Sequence, residues 1–194
     1  MKKKEIIWRE ILYQGIEQKK FDFTQQELAQ KYQFSLSTVF NAIKVLRPSG
    51  IITVHGRGFK LVNIEKFLYL WGTTRRLSKD IIYQTCCSGA ALEIEAQMPP
   101  EVIFGAFSAY LKKYQDAPSE YDKVYVYLPP DRLDHFQKRF PPFSGRDNIF
   151  VLTADPWMKN FGSVTPDGQT FADLWSLPEW YAKDFAEALK ERII

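Results

Sequence analysis

Histidine and cysteine are scarce in this chain, with two of each among 194 residues. The cysteines, Cys86 and Cys87, are adjacent, and neighbouring cysteines rarely bridge each other. Two thiols with no histidine beside them make a poor metal set, so no metal site is expected and both are expected as buried thiols. The histidines, His55 and His135, lie far apart in the sequence, which gives no basis for a Cys/His nucleophile. No apolar run approaches the roughly 18 residues of a membrane-spanning helix. The start, Met1-Lys2-Lys3-Lys4-Glu5, is basic, but Ile6-Ile7-Trp8 gives way at once to Arg9 and Glu10, too short for a signal-peptide core. A cytoplasmic chain without cofactor or metal is the expectation.

What is present argues for ordered structure. Hydrophobic residues make up 45% and aromatics 15%, enough apolar surface to fold around. The length suits two domains of roughly 100 residues each. Net charge is only +3, but it is unevenly distributed: residues 1–62 carry 11 basic and 5 acidic side chains, and the rest of the chain has the opposite balance. Such asymmetry points to a polyanionic partner for the first part.

That first part also carries the clearest pattern. Ile7, Trp8, Ile11 and Leu12 share one face of a helix over residues 5–14. Residues 19–23 alternate and read as extended. Thr24-Gln25-Gln26-Glu27 has the form of a capping box, with the Thr24 hydroxyl accepting the Glu27 amide and the Glu27 carboxylate reaching back. A helix over 25–32 follows, with Leu28 and Ala29 inward. Ser35 is placed to cap a second helix running from Leu36 to Arg47, whose apolar face is Leu36, Val39, Phe40, Ile43 and Leu46. Pro48-Ser49-Gly50 stops it. Ile51-Ile52-Thr53-Val54, the turn His55-Gly56-Arg57-Gly58 and Phe59-Lys60-Leu61-Val62 form a hairpin.

Helix, helix, turn, helix and hairpin is the order of a winged helix-turn-helix. Residues 24–62, and above all the string FSLSTVFNAIKVLRPSGII, resemble the winged-helix domains of bacterial and archaeal transcription regulators. In such a motif the second helix enters the major groove and reads bases near its N-terminus. Ser35, Ser37, Thr38, Asn41 and Lys44 are the candidate contacts on that helix. Asn41 suits adenine, the hydroxyls suit base edges or phosphate, and Lys44 suits phosphate. His55, Arg57 and Lys60 are the candidates on the wing. With little positive charge on the helix itself, affinity is expected to be modest and to fall steeply with salt. A winged helix that binds protein instead is the competing reading.

The boundary falls near 63–75. Domain limits are expected at 1–63 for the winged helix, 64–79 for a connecting segment and 80–194 for a second domain. Arg75, Arg76 and Lys79 read as a basic cluster, either a solvated face or a phosphate contact. Beyond it, strands over 80–85, 123–128 and 148–153 alternate with helices over 89–97, 102–114, 131–140, 170–177 and 180–193. Residues 155–168 read as loop. The whole is expected to be α+β, a winged helix-turn-helix followed by a small α/β domain.

Two places invite a chemical reading. Gly105-Ala106 before Asp122 is reminiscent of a nucleotidyltransferase, which needs a glycine-serine pair and two acids one residue apart to clamp two metal ions. Here the serine and the second acid are missing, so at most the fold is a degenerate form, and packing accounts for Gly105. Asp173, on the helix after a Pro-Asp-Gly turn, has no histidine partner and is expected to orient backbone at a helix start, not to act as a base. Trp157, Trp175 and Trp180 are expected as core or interface anchors. No catalytic residue is expected.

Residues 80–194 resemble the antitoxin domain of AbiEi-type transcriptional regulators of type IV toxin–antitoxin systems. The likeness rests on FGAFSAYLKKY (104–114), KVYVYLPP (123–130), NIFVLTADPW (148–157) and VTPDGQTFADLWSLPEWYAKDFAEALKE (164–191). The resemblance implies a winged helix that binds inverted repeats at its own promoter as a repressor; one winged helix presents few base contacts, so a homodimer on two half-sites would raise specificity, and a monomer binding repeats cooperatively would serve as well. It also implies a C-terminal domain that opposes a nucleotidyltransferase-type toxin. A ligand-responsive regulator, and an enzyme of nucleotide chemistry with a DNA-targeting module, are the alternatives.

Overall fold

The computed structural model describes all 194 residues as a mixed α and β fold with two small sheets. The chain opens with α1 (Lys3–Ile16), β1 (Asp22–Thr24), α2 (Gln25–Tyr32), α3 (Leu36–Lys44), β2 (Ile52–His55) and β3 (Gly58–Leu61). The strands form an antiparallel sheet in the order β1-β3-β2, pairing Phe23 with Phe59. Those two rings stack with centroids 5.5 Å apart. Thr24 caps α2 by accepting the Glu27 amide at 3.1 Å. The Glu27 carboxylate reaches back to the Thr24 hydroxyl, 3.5 Å from Oε2, while its Oε1 pairs with Lys20 at 3.0 Å. Gln33, left-handed with φ 53°, turns the chain between α2 and α3. The second helix stops at Lys44, three residues before the expected Arg47. Ahead of Pro48 the backbone tightens, and Leu46 N–H bonds the Ile43 carbonyl at 2.9 Å, three residues back.

The remainder contains α4 (Ile64–Thr74), β4 (Ile81–Thr85), α5 (Ala91–Ala96), β5 (Ile103–Gly105), α6 (Ala106–Tyr114), β6 (Val124–Leu128), α7 (Leu133–Arg139), β7 (Ile149–Thr153), α8 (Asp167–Trp175) and α9 (Ala182–Ile193). The sheet order is β4-β7-β6-β5, and only β6 and β7 run parallel. All five residues of β6 are buried, as a central strand covered on both faces requires. On one face Val124, Val126, Ile149 and Val151 pack with Ile94 of α5 and Phe136 of α7. On the other, Tyr125, Tyr127 and Leu152 join the larger core with Phe107, Phe171 and Phe185.

Several expected boundaries shift. Residues 103–105, expected as the start of a helix, are an edge strand paired with β6. The β-favouring Ile103-Phe104 pair completes the sheet, and Ala106, at φ 46°, turns the chain into α6. Gly105 is required by packing, since a Cβ there would stand 2.9 Å from the Tyr127 ring. α8 begins at Asp167, not Thr170, and the loop before it contains one 3-10 turn over Met158–Phe161. Cys86 and Cys87 are half-buried instead of fully enclosed. Trp175 and Trp180 are exposed; Trp157 packs edge-on against Tyr32 and Phe34.

One hydrophobic cluster runs from Ile7 of α1 to Ile193 of α9, through Phe67, Leu68 and Trp71 of α4. Two buried polar ties accompany it. Arg9 of α1 grips Asp155 with both terminal nitrogens, at 2.7 and 2.8 Å. Arg75, just beyond α4, bonds Asp173 at 2.9 Å, Asp80 at 2.6 Å, Glu5 at 3.3 Å and the Tyr127 hydroxyl at 3.1 Å. Only 5% of Arg75 is exposed, so the expectation of a solvated or phosphate-facing side chain is overturned. Four polar atoms surround the guanidinium, and its burial keeps it from any phosphate. Asp173 likewise sits in the core as the partner of Arg75 and Tyr127, not at a helix start.

Burial raises the hydroxyl pKa of Tyr32, Tyr125 and Tyr127 above the ordinary 10.0, and neighbouring carboxylates add to it. Above pH 10 the unfolded chain releases these protons while the native state keeps them, so stability falls as pH rises. Urea midpoints are expected to decline steeply from pH 9.5 to about pH 11. A flat profile there would show these tyrosines to be solvated.

Candidate nucleic-acid interface

The position of α3 is set from beneath. Val39, Ala42 and Ile43 bury against α1 and α2, and Leu46 follows at the next turn. The buried Trp8 indole of α1 donates to the Ala42 carbonyl at 2.8 Å, fixing the helix along its axis. Trp8→Phe leaves that carbonyl unpaired in the core. It is expected to cost about 1–3 kcal/mol in urea unfolding and to speed amide exchange in α3. An unchanged midpoint would show that the bond contributes nothing.

The buried arc leaves the opposite face free. Ser35, Leu36, Ser37, Phe40, Asn41 and Lys44 are exposed and Thr38 is half-buried. Leu36 and Phe40, expected in the core, are 56% and 49% exposed. At about 100° per residue, Val39, Ala42, Ile43 and Leu46 already fill the inward arc, and Phe40 is turned a full step away from Val39. Ser35 is committed to the cap: its Oγ accepts the Thr38 amide at 3.2 Å and lies 2.9 Å from both the Ser37 and Thr38 hydroxyls. Of the expected polar contacts on this helix, Asn41 and Lys44 have the freest side chains.

The hairpin β2–β3 closes through Gly56-Arg57, with Gly56 at φ +47° in the first central position. His55, one of the expected contacts, is held by Asp22 at 3.1 Å. Arg57 at the tip and Lys60 on β3 are exposed and form no ion pair, as is Lys44 on α3. Thr53 and Val54 of β2 are exposed beside them, and Arg47 follows α3. The hairpin is tied to the end of α3 through the Ile51 amide, which bonds the Leu46 carbonyl at 3.0 Å.

The exposed apolar pair was the feature least visible in the sequence. The signal was a surplus: six large apolar residues over 36–46 where one helical face accommodates three or four.

No group of three or more His, Cys, Asp or Glu side chains is set to hold a metal ion. Asp122 accepts the Tyr181 hydroxyl, and Glu101 pairs with His135 at 3.1 Å. No helix is long and apolar enough to cross a membrane. No protein-family model, curated protein or solved structure matches the chain.

Proposed function

We propose that the chain is a DNA-binding transcription regulator in which residues 1–63 act as a winged helix-turn-helix. In this reading α2 and α3 are the helix pair, α3 enters the major groove, and β2–β3 is the wing. The observation that carries the reading is the free outer face of α3, bearing Asn41 and Lys44, together with a hairpin whose tip holds an unpaired Arg57. The positive balance of residues 1–62 supplies the long-range attraction. Asn41 reads adenine, Ser37 and Thr38 meet base edges or phosphate, and Lys44, Arg57 and Lys60 meet phosphate. Ser35 and His55 act by holding the helix start and the wing.

For residues 80–194, resemblance supports an antitoxin role against a nucleotidyltransferase-type toxin, with autorepression through inverted repeats in the cytoplasm. A nucleotidyltransferase-like fold would be a degenerate form here, since Asp122 stands alone and packing accounts for Gly105, and no reaction is assigned. Mobility-shift selection from a random duplex pool tests the DNA reading. A recurring, salt-sensitive site, repeated with inverted symmetry, is expected. A pool that stays random at low salt contradicts it.

One observation favours a ligand-responsive regulator as the second reading. A cleft of about 510 Å³ is lined by Arg76, Lys79, Tyr125, Phe150 and Glu179. The Oε2 atom of Glu179 is buried there without a hydrogen-bond partner. A small molecule that shifts operator affinity would be its mark.

A further inference from the structure

The outer face of α3 is not uniformly polar. Leu36 and Phe40 stand one turn apart and form a single apolar column along the helix. Ser37 and Asn41, each one residue further on, form a polar column beside it. Lys44 continues the apolar column with a charge. Neither Leu36 nor Phe40 is needed by the core, which is closed by Val39, Ala42, Ile43 and Leu46. Two large apolar groups held in water gain only when something apolar covers them.

The occupant is indicated by the surroundings. The same unit carries an excess of positive charge, which suits a polyanion better than the apolar patch of a protein. Along the major groove of duplex DNA, base edges are polar apart from one group, the 5-methyl of thymine. The adenine across the pair offers N7 and N6, which a carboxamide contacts with two hydrogen bonds. An amide column beside an apolar column therefore matches consecutive A·T pairs. A G·C pair offers no methyl and presents a cytosine amino group instead, which loses water against a phenyl ring with nothing in exchange.

We infer that α3 reads a half-site with an A·T core, with Phe40 and Leu36 packed on thymine 5-methyl groups while Asn41 contacts adenine. This rests on the reading of residues 1–63 as a DNA-binding unit. It assigns sequence preference to two apolar residues and not to the polar contacts alone.

Deoxyuridine tests it, because replacing thymine with uracil removes the methyl and leaves every hydrogen-bonding edge in place. The probe is the duplex recovered by selection, prepared with thymine or with uracil throughout the half-site. Fluorescence anisotropy should show affinity falling about fourfold for each methyl contacted. Phe40→Ala should bind the thymine duplex more weakly and lose most of the thymine–uracil difference, whereas Asn41→Ala should keep that difference. Equal wild-type affinity for both duplexes would overturn the methyl contact and leave the DNA reading standing. Recovery of no preferred duplex would overturn both. A Phe40→Ala variant that matches wild type on both duplexes would assign the ridge to a protein partner and overturn the inference. The uracil arm needs no variant, so it stands whatever a substitution does to folding.

Discussion

Arg75→Met is expected to lower stability by about 3–5 kcal/mol, the range for breaking a buried ion cluster from one side. The methylene stem keeps its packing, but Asp173 is left buried and charged, with Tyr127 as its remaining donor. Burial works against the charge on Arg75, yet Tyr127, Asp173, Glu5 and Asp80 outweigh it and raise its pKa above the ordinary value. Burial also raises the Asp173 carboxyl, against the pull of Arg75. The native state then holds this proton more tightly than the unfolded chain, so stability is highest below the ordinary 3.8 and falls as pH rises through the raised value. Without Arg75 the window widens, and the variant should recover part of its stability on acidification from about pH 7 to about pH 5. Urea unfolding at both pH values decides it: a loss within experimental error would show that the cluster is neutral to stability. Because Glu5 belongs to α1 and Trp8 holds α3, the same variant should loosen α3.

Asn41→Ala and Arg57→Ala should affect binding in different ways. With α3 in the groove as proposed, Asn41→Ala removes a bidentate base contact, so discrimination at one adenine should fall by about 1–3 kcal/mol while non-specific binding stays. With the hairpin tip on phosphate as proposed, Arg57→Ala removes that contact, so all duplexes should bind more weakly and the salt slope should flatten by about one. Competition titrations with single-base substitutions separate the two. Identical specificity profiles for both variants and wild type would remove α3 from the groove.

The sequence was most informative where local rules act alone. Thr24 and Ser35 mark both helix starts, Pro48 and Gly50 mark the stop, and Gly56 marks the hairpin turn, each through backbone chemistry that tertiary contacts did not override. Strand β6 was legible because a run of five apolar residues has few other homes. Illegible features depended on distant residues. Ile103-Phe104 became a strand because β6 was there to pair with it. Arg75 looked like a surface charge because Glu5 and Asp173 lie 70 and 98 residues away in sequence. Leu36 and Phe40 looked like core because the sequence does not say how wide an arc α1 and α2 cover. Of the candidate interface, Asn41, Lys44, Arg57 and Lys60 were read as exposed and are so; the apolar ridge was read inward and faces out.

The central claim is that α3 and the wing bind duplex DNA by sequence. Its most direct test is an anisotropy titration of the selected duplex against a scrambled one at about 50 mM and about 200 mM salt. The account predicts a preference for the selected duplex at both salts, affinity that drops with salt for both duplexes, and a smaller preference in Asn41→Ala. Equal, salt-insensitive binding to both duplexes, or no binding to either at the lower salt, would contradict it.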